Sequence, residues 1–248
     1  MNVTAIKTHK ITSKDTDLFA ILDKYLPKLE ENSVVVVTSK IISIIEGRTV
    51  PMGSKSKDEL IEEESQRFLP RDENKWHVGL TVARDNLVAS AGIDESNGNG
   101  SYILWPKDPQ KNANEIREYL VKKCNVKNVG VVVTDSKTTP LRWGTTGFSL
   151  AHSGFAAVRD YIGKPDIFGR KMEYTKLNVA DSIASMAVLA MGEGEEQQPI
   201  AIVDDLKDVE FQDRNPSEQE LKELQIHLDE DLYSVFLKNA PWKKGRQP

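Results

Sequence analysis

The chain has little cysteine, no long apolar run and no excess of basic charge. Its one cysteine, Cys124, in 248 residues excludes an intramolecular disulfide and a thiolate zinc cluster, and it fits a reducing compartment. No stretch approaches the ~20 apolar residues that a membrane helix needs. Residues 1–14 include Lys7, His9 and Lys10 and lack the apolar core of a signal peptide. We therefore expect a soluble, cytoplasmic protein that does not insert into a membrane.

The charge balance and a missing motif exclude further classes. Lys and Arg number 33 against 38 Asp and Glu, which gives a formal net charge of −5. Without a basic field, no nucleic-acid partner is expected. The sequence contains no Gly-x-x-x-x-Gly-Lys-Ser/Thr segment, so a P-loop is excluded. It also has no Gly-x-Gly-x-x-Gly that follows a strand and opens a helix.

The chain does contain enough apolar sequence for a sizeable core, because 39% of its residues are hydrophobic. Short strands and helices alternate irregularly and include hairpins. This pattern predicts an α+β fold with mixed sheets and packed helices. Residues 1–215 are predicted to form the main domain, followed by a C-terminal helical tail over 216–248.

Hydrophobic periodicity and end signals predict the individual elements. The predicted strands are 33–38, 78–83, 87–90, 101–105, 129–134 and 200–203. The predicted helices are 14–28, 56–68, 113–123, 155–162 and 179–191, with a further helix that begins after Ser217. Residues 39–45 fit either a short helix or an extended segment. Residues 137–147 contain Pro140 and Gly144 and are predicted to be a loop.

Carboxylates follow two of the predicted buried segments. Asp94 comes after Ala91-Gly92-Ile93, and Asp135 comes after Val131–Thr134 and is followed by Ser136. Glu193 is a third candidate, directly after the helix that ends at Gly192. Three convergent carboxylates would suit Mg²⁺ or Mn²⁺, which prefer oxygen ligands. The alternative is ordinary turn and cap chemistry for both aspartates and a solvated surface acid for Glu193.

Several ordered segments between about 30 and 205 resemble the coenzyme F420-0:γ-glutamyl ligase family. These segments are Val35–Ser43 with Glu46-Gly47-Arg48, Ala91–Asn97, Gly130–Ser136, Gly144–Gly154, Gly163–Val179 and Val179–Glu193. The resemblance implies a metal- and GTP-dependent ligase that joins the amino group of L-glutamate to a carboxylate of a coenzyme. It also implies that the main domain is catalytic, with an α+β fold, and that the protein is an intertwined homodimer.

The resemblance also implies roles for individual residues. Asp94, Asp135, Ser136 and Glu193 look like ligands of Mg²⁺ or Mn²⁺, with K⁺ as a further candidate ion. The nucleotide contacts implied are Ser39, Lys40, Asn97, Gly192 and Gly194. Lys40 and Arg142 are our candidates for clamping anionic groups during the reaction.

The sequence departs from the family at three places. Ile44 stands where relatives commonly have Lys, Thr138-Thr139-Pro140 replaces a Gly-Arg-Pro segment, and Thr8-His9-Lys10-Ile11 replaces an early Gly-Leu-Pro-like segment. The first two changes remove charge-assisted contacts to phosphates, each worth roughly 1.5–3 kcal/mol. Because these positions differ from the family, two alternatives stay open for each ligand. The nucleotide is GTP or ATP, and the acceptor is F420-0 or a folate-like coenzyme.

Three hypotheses follow. The leading one is an amide ligase that works through an acyl-phosphate. The second, motivated by Ile44 and Thr139, is a nucleotide- and metal-binding protein of the same fold that has no ligase turnover. The third is a hydrolase that uses the three acids and a metal to activate water. Only the ligase requires glutamate for product formation.

Overall fold

The structure is a computed structural model, and it describes residues 1–247. The described strands are β1 (Asn2–Ile6), β2 (Ser33–Thr38), β3 (Thr49–Pro51), β4 (Arg67–Leu69), β5 (Leu80–Ala83), β6 (Asn86–Ala89), β7 (Ser101–Ile103), β8 (Val129–Thr138), β9 (Thr145–Ser153), β10 (Val158–Asp160), β11 (Lys176–Asn178), β12 (Ile200–Asp204) and β13 (Lys243–Lys244). The described helices are α1 (Leu18–Tyr25), α2 (Ser39–Ile45), α3 (Lys57–Glu64), α4 (Pro109–Cys124), α5 (Val179–Met191), α6 (Glu218–Leu224) and α7 (Ser234–Leu237). The predicted α+β class is confirmed.

A large sheet forms the centre, with strand order β1-β12-β2-β8-β9. The apolar residues of β2 and β8 are fully buried, which explains why their sequences are continuous in Val rather than alternating. Helices α1, α2 and α4 contribute to the apolar cluster that contains Val35, Val37, Val131 and Val133. Helix α5 contributes to a second cluster with Val34, Val36 and Val132. Because side chains alternate along a strand, these two clusters lie on opposite faces.

The strand directions bring several chain segments to one edge of this sheet. Strand β2 runs parallel to β8 and antiparallel to β12, and β12 runs antiparallel to β1. One register row joins Ile6, Ile200, Val37 and Val133. The segments that follow β1, β2 and β8 therefore leave the sheet at the same edge, beside the loop that precedes β12. Ligands commonly collect at such an edge.

A small sheet with order β13-β4-β5-β6 contributes to a third cluster around α3. The predicted hairpin is confirmed as β5 and β6, joined through Arg84 and Asp85 with φ of 47° and 59°. Two residues with positive φ form the tight turn that matches the twist of a hairpin. Trp105 and Phe148 belong to the same cluster, and Phe148 comes from β9, so the cluster connects the small sheet to the large one.

Two predicted elements are wrong. Residues 155–162 are not a helix, because β10 pairs with β11 there and burial alternates through Phe155, Ala156 and Ala157 with the period of an extended chain. Residues 137–147 are not one loop, since β8 continues to Thr138 and pairs with β9. Pro140 and Gly144 both fall in the short connection 139–144. Residues 39–45, which fitted two states, form α2.

The C-terminal tail is only partly helical. Helix α6 begins at the predicted capping box of Ser217 and Glu220, but residues 243–244 form β13, which pairs with β4. Gly245 and Gln247 donate backbone hydrogen bonds to Gln66 and Ser65. The tail therefore returns to the small sheet. The proposed division at residue 215 stays a prediction.

Across residues 1–247, none of the helices combines the length and the apolar character that crossing a membrane requires.

Candidate active site

A cavity of about 800 Å³ opens at the edge where β1, β2 and β8 end. Its walls are the segments that follow these strands, the loop that precedes β12 and the loop that follows β6. Most of the predicted site residues line it, namely Lys40, Asp94, Asn97, Asp135, Ser136, Gly192, Glu193 and Gly194. The structure therefore brings residues that are up to 154 positions apart into one cavity.

Two predicted site residues do not line this cavity. Ser39 is 4% exposed at the start of α2, so its side chain faces the protein interior. Arg142 is exposed in the connection between β8 and β9. The pairing of Thr138 with Thr145 extends the hairpin and places Arg142 beyond the paired strands. Their predicted roles have no support from the position of either side chain.

Asp94 is held at the cavity wall by backbone and side-chain contacts. Its backbone exchanges hydrogen bonds of 2.9 and 2.8 Å with Ile103, next to the end of β7. Its carboxylate forms an ion pair with Lys40 Nζ at 2.6 Å and accepts from Ser96 N at 2.6 Å. Burial raises the pKa of Asp94, but the Lys40 and Ser96 contacts outweigh burial and hold the pKa below its usual range.

Asp135 is the carboxylate with the most unusual environment. One of its oxygens accepts a hydrogen bond from Trp105 Nε1, and the other accepts from Ser136 N at 2.8 Å. Burial raises the pKa of Asp135 to about 6, and the charge of Asp94 adds to this shift. Within residues 1–247, Asp135 forms no ion pair with a Lys, Arg or His side chain. A half-buried carboxylate without a cationic partner favours a bound cation.

Glu193 lies on the loop after α5. Its carboxylate accepts from Ser136 Oγ at 2.5 Å and from Thr145 Oγ1 at 3.3 Å. Gly192, with φ of +80°, precedes it, and a Cβ there would lie 2.4 Å from the Glu196 carboxyl carbon. The positive φ favours glycine here, whereas the Glu196 carboxylate is the end of an exposed side chain that can move aside. The tight turn at Gly192 thus allows Glu193 and Glu196 to belong to the same short loop.

The carboxylate oxygens in the cavity are suitable ligands for a hard divalent cation, although the acidic side chains are too far apart to bind one ion together. Among residues 1–247, no three His, Cys, Asp or Glu side chains lie close enough together to hold one ion. The cavity lining nevertheless contains five carboxylates and only two lysine ammonium groups. These groups belong to Asp94, Asp135, Glu193, Glu195, Glu196, Lys10 and Lys40. An anionic ligand such as a nucleotide would need additional positive charge here.

Sequence reasoning missed Trp105, which contacts a predicted ligand. Its ring is 3% exposed, and its N–H is directed at Asp135. Gly92 makes room for this ring, because a Cβ at Gly92 would lie 2.0 Å from it. The only signal in the sequence is the glycine in Ala91-Gly92-Ile93, which could have suggested a close approach without naming the partner.

A family model described as F420-0:Gamma-glutamyl ligase matches residues 5–205. Curated relatives include the coenzyme F420:L-glutamate ligase of Archaeoglobus fulgidus, which is 34% identical over 205 residues, or 77% of this chain and 82% of the relative. The ligase of the same name from Methanococcus maripaludis is 31% identical over 206 residues, with the same two shares. That from Methanocaldococcus jannaschii is 32% identical over 190 residues, 71% of this chain and 76% of the relative.

Proposed function

This chain belongs to the F420-0:gamma-glutamyl ligase family, and on that basis we propose that it is a ligase that adds L-glutamate to a carboxylate of a coenzyme. The acceptor is F420-0 or a folate-like coenzyme, and GTP or ATP supplies the energy. One observation carries the proposal. The acids Asp94, Asp135 and Glu193, distant in sequence, line the same cavity together with Lys40.

The acidic lining supports a requirement for Mg²⁺ or Mn²⁺. Asp94, Asp135, Ser136 and Glu193 would hold the ion once their side chains move closer together, since all four line this cavity with hard oxygen donors. The bound ion would neutralise charge on the phosphates. Asn97 and the glycines of the 192–194 loop would contact the nucleotide. Asn97 Nδ2 already donates to Gly194 O at 3.3 Å, so these two segments are adjacent.

The reaction would proceed in two steps. An oxygen of the acceptor carboxylate attacks the γ-phosphorus, and the bond to the β-phosphate oxygen breaks, which releases the nucleoside diphosphate. The amine of glutamate then attacks the acyl carbon of the acyl-phosphate. Inorganic phosphate leaves, the amide bond forms and the amine loses a proton. Lys40 would donate hydrogen bonds to phosphoryl oxygens in both steps. Ser39 and Arg142 have no part in this proposal because their side chains do not line the cavity.

We also propose that the protein forms a homodimer, as the family resemblance implies. Large apolar side chains are exposed on the β8–β9 connection and between β10 and β11. They are Leu141, Trp143, Ile167, Phe168 and Tyr174. Apolar surface of this kind is typical of contacts between subunits. Analytical ultracentrifugation should detect a dimer that Phe168→Asp weakens, and a wild-type monomer at micromolar concentration would contradict the proposal.

The decisive experiment measures amide product and phosphate release with F420-0 or a folate acceptor, glutamate, each nucleotide and Mg²⁺ or Mn²⁺. We expect both products to require glutamate. Asp135→Asn, which keeps the size of the side chain, should abolish turnover and weaken Mn²⁺ binding. Asn99→Ala, also at the cavity wall but without a proposed role, is the matched control.

The outcomes separate the three hypotheses. Phosphate release without glutamate would favour a hydrolase. Nucleotide binding without product over the whole panel of acceptors would favour a protein that binds without turnover. Near-normal rates for Asp135→Asn would contradict the assignment of this residue.

A further inference from the structure

A second cavity of about 360 Å³ lies away from the candidate active site. Its lining includes Val179, the first residue of α5, whereas Met191, the last residue of α5, lines the candidate active site. At ~1.5 Å for each helical residue, Val179 and Met191 are roughly 18 Å apart along the helix axis. Among residues 1–247, none lines both cavities. The second cavity is therefore a separate place in the fold.

One side of this cavity is formed within residues 208–223, which lie beyond the part of the chain that the family model matches. The first part of this side is extended, because Phe211 forms an antiparallel bridge with Phe155. Val209 and Phe211 pack against the apolar cluster around α5. Side chains alternate along an extended segment, so the residues between them face the other way. Those that line the cavity are Asp208, Glu210 and Gln212.

The lining contains three carboxylates that have no cationic partner. Asp208, Glu210 and Glu223 form no side-chain hydrogen bond and no salt bridge within residues 1–247. A fourth acid differs from them, since Glu220 forms a salt bridge with Arg214 at 2.7 Å. Negative charges that share one cavity repel one another unless a cation lies between them. This side of the cavity is therefore suited to a positively charged group.

The opposite side of the cavity contributes two positive charges that also lack an acidic partner. Arg159 Nη1 donates to Tyr161 Oη at 3.3 Å, and Lys164 Nζ lies 5.3 Å from the centre of the Tyr161 ring. Neither side chain forms a salt bridge with any acid of residues 1–247. Both cations are therefore available to a carboxylate of a ligand.

Gln212 adds an acceptor that has no donor. Its Nε2 donates to Glu220 Oε1 at 2.7 Å, which fixes the orientation of the amide. Its Oε1 is buried and accepts no hydrogen bond within the described part of the chain. A buried carbonyl oxygen without a donor is unfavourable. An N–H group of a ligand in the cavity would satisfy it.

We propose that this cavity binds an α-amino acid with a cationic side chain, such as L-arginine or L-lysine. Its carboxylate would bind Arg159 and Lys164, and its two positive groups would pair with the three carboxylates. Within residues 1–247 no three acids are arranged to hold a metal ion, which favours an organic cation. The cavity volume lies near the lower end of the range for small-molecule sites, roughly 300–1,000 Å³.

Isothermal titration calorimetry of the full chain tests the proposal with L-arginine and L-lysine as probes. We expect at least one of them to bind wild type with one molecule per chain. Agmatine lacks the carboxylate of L-arginine, and L-citrulline lacks its side-chain charge. Both should bind about tenfold more weakly or less than L-arginine. Excess L-glutamate should not displace the bound probe, because its side chain is anionic.

Two variants test the two sets of charges. Glu223→Gln removes a carboxylate, and Arg159→Gln removes a cation, so each should weaken binding of the probe about tenfold or more. Arg159→Lys keeps the positive charge and should largely restore the affinity. Glu218→Gln on the same helix and Arg170→Gln are matched controls, because both side chains are exposed and lie outside the cavity lining.

The outcomes decide the proposal without reference to catalysis, because the titration contains neither nucleotide nor acceptor. Binding that Glu223→Gln and Arg159→Gln both weaken, but the controls do not, supports the site. Absence of binding of both probes to wild type at millimolar concentration would overturn it. Affinity for agmatine equal to that for L-arginine, or equal losses in the variants and their controls, would overturn it as well.

Discussion

The cavity has two walls that are built in different ways. The wall that carries Asp135 belongs to the large sheet, whose central strands β2 and β8 have fully buried Val side chains. The wall that carries Asp94 adjoins the small sheet, whose strands are two to four residues long. Ser90 and Ala91, just before Asp94, have positive φ although neither is glycine. One wall is therefore defined by core packing, and the other depends on local backbone geometry and polar contacts.

The packing of the Trp105 ring against Gly92, within the wall that carries Asp94, should be the most sensitive point. In Gly92→Ala, the added Cβ would lie 2.0 Å from the Trp105 ring, at a residue with φ of +71°. Overpacking and the unfavourable backbone conformation together should destabilise the protein by roughly 2–5 kcal/mol. Urea denaturation measures this loss, and Gly100→Ala, which also has positive φ but has no atom within 4 Å of the added Cβ, is the control. Equal losses would show that the ring contact is unimportant.

Acid should weaken the large sheet through His152, which is 1% exposed and has no hydrogen-bond partner for either ring nitrogen. Burial lowers the pKa of His152 to about 4. The unfolded chain, with an ordinary pKa near 6.5, takes up the proton first. Stability is therefore complete above pH 6.5 and falls by roughly 3 kcal/mol as the pH drops to about 4.

Denaturation of His152→Leu across the same pH range tests this expectation, because the variant should lack that part of the acid sensitivity. His227→Gln, which alters an exposed histidine, should keep it. An unchanged pH profile for His152→Leu would show that another group is responsible.

The hydrogen bond that joins the two walls should tune metal binding. Trp105→Phe keeps an aromatic ring against Gly92 but removes the N–H that lowers the pKa of Asp135. The pKa of Asp135 should therefore rise further above its usual range, so more of the carboxyl is protonated at pH 6. We expect Mn²⁺ affinity at pH 6 to fall roughly tenfold, equivalent to about 1.4 kcal/mol, with a smaller loss at pH 8. A loss that is the same at both pH values would contradict this explanation.

The smallest effect should come from the surface of the small sheet. Arg246 forms a salt bridge with Glu62 at 2.9 Å, and its side chain is 63% exposed. Because exposed ion pairs contribute little, Arg246→Gln should reduce stability by less than about 1 kcal/mol. Hydrogen exchange at the backbone amides of Gly245 and Gln247 measures the local effect. A loss above about 2 kcal/mol would mean that this ion pair, rather than backbone pairing, fixes the segment.

The sequence predicted well those elements whose signals are local. The continuous Val runs of β2 and β8, the hairpin at Arg84-Asp85 and the capping box at Ser217 are all confirmed. The failures come from strand pairing that overrides the local composition. Strand β10 exists because it pairs with β11 about 20 residues later, and the β8–β9 hairpin extends through residues whose composition is typical of loops. In both places, pairing with a neighbouring strand outweighs the propensity of the residues themselves.

In the candidate site, too, features with a local sequence signal were predicted, and contacts between distant segments were not. Strand ends and the family resemblance together indicated Asp94, Asp135 and Glu193, and the structure places all three at one cavity. Their roles as metal ligands stay a prediction. The ion pair of Lys40 with Asp94 and the hydrogen bond from Trp105 to Asp135 join residues 54 and 30 positions apart. Such contacts depend on the assembled sheets, so composition and spacing could not reveal them.

The pairing of β13 with β4 has a consequence for the order in which parts of the protein fold during synthesis. Strand β4 leaves the ribosome about 175 residues before its partner. During synthesis the β4 edge of the small sheet therefore has no paired strand, and such edges are prone to pair with other chains. Folding of the wall near Asp94 is completed late, whereas the strands that carry Asp135 can assemble earlier. A nascent chain stalled at residue 230 would expose β4 while its β2–β8 core is already protected.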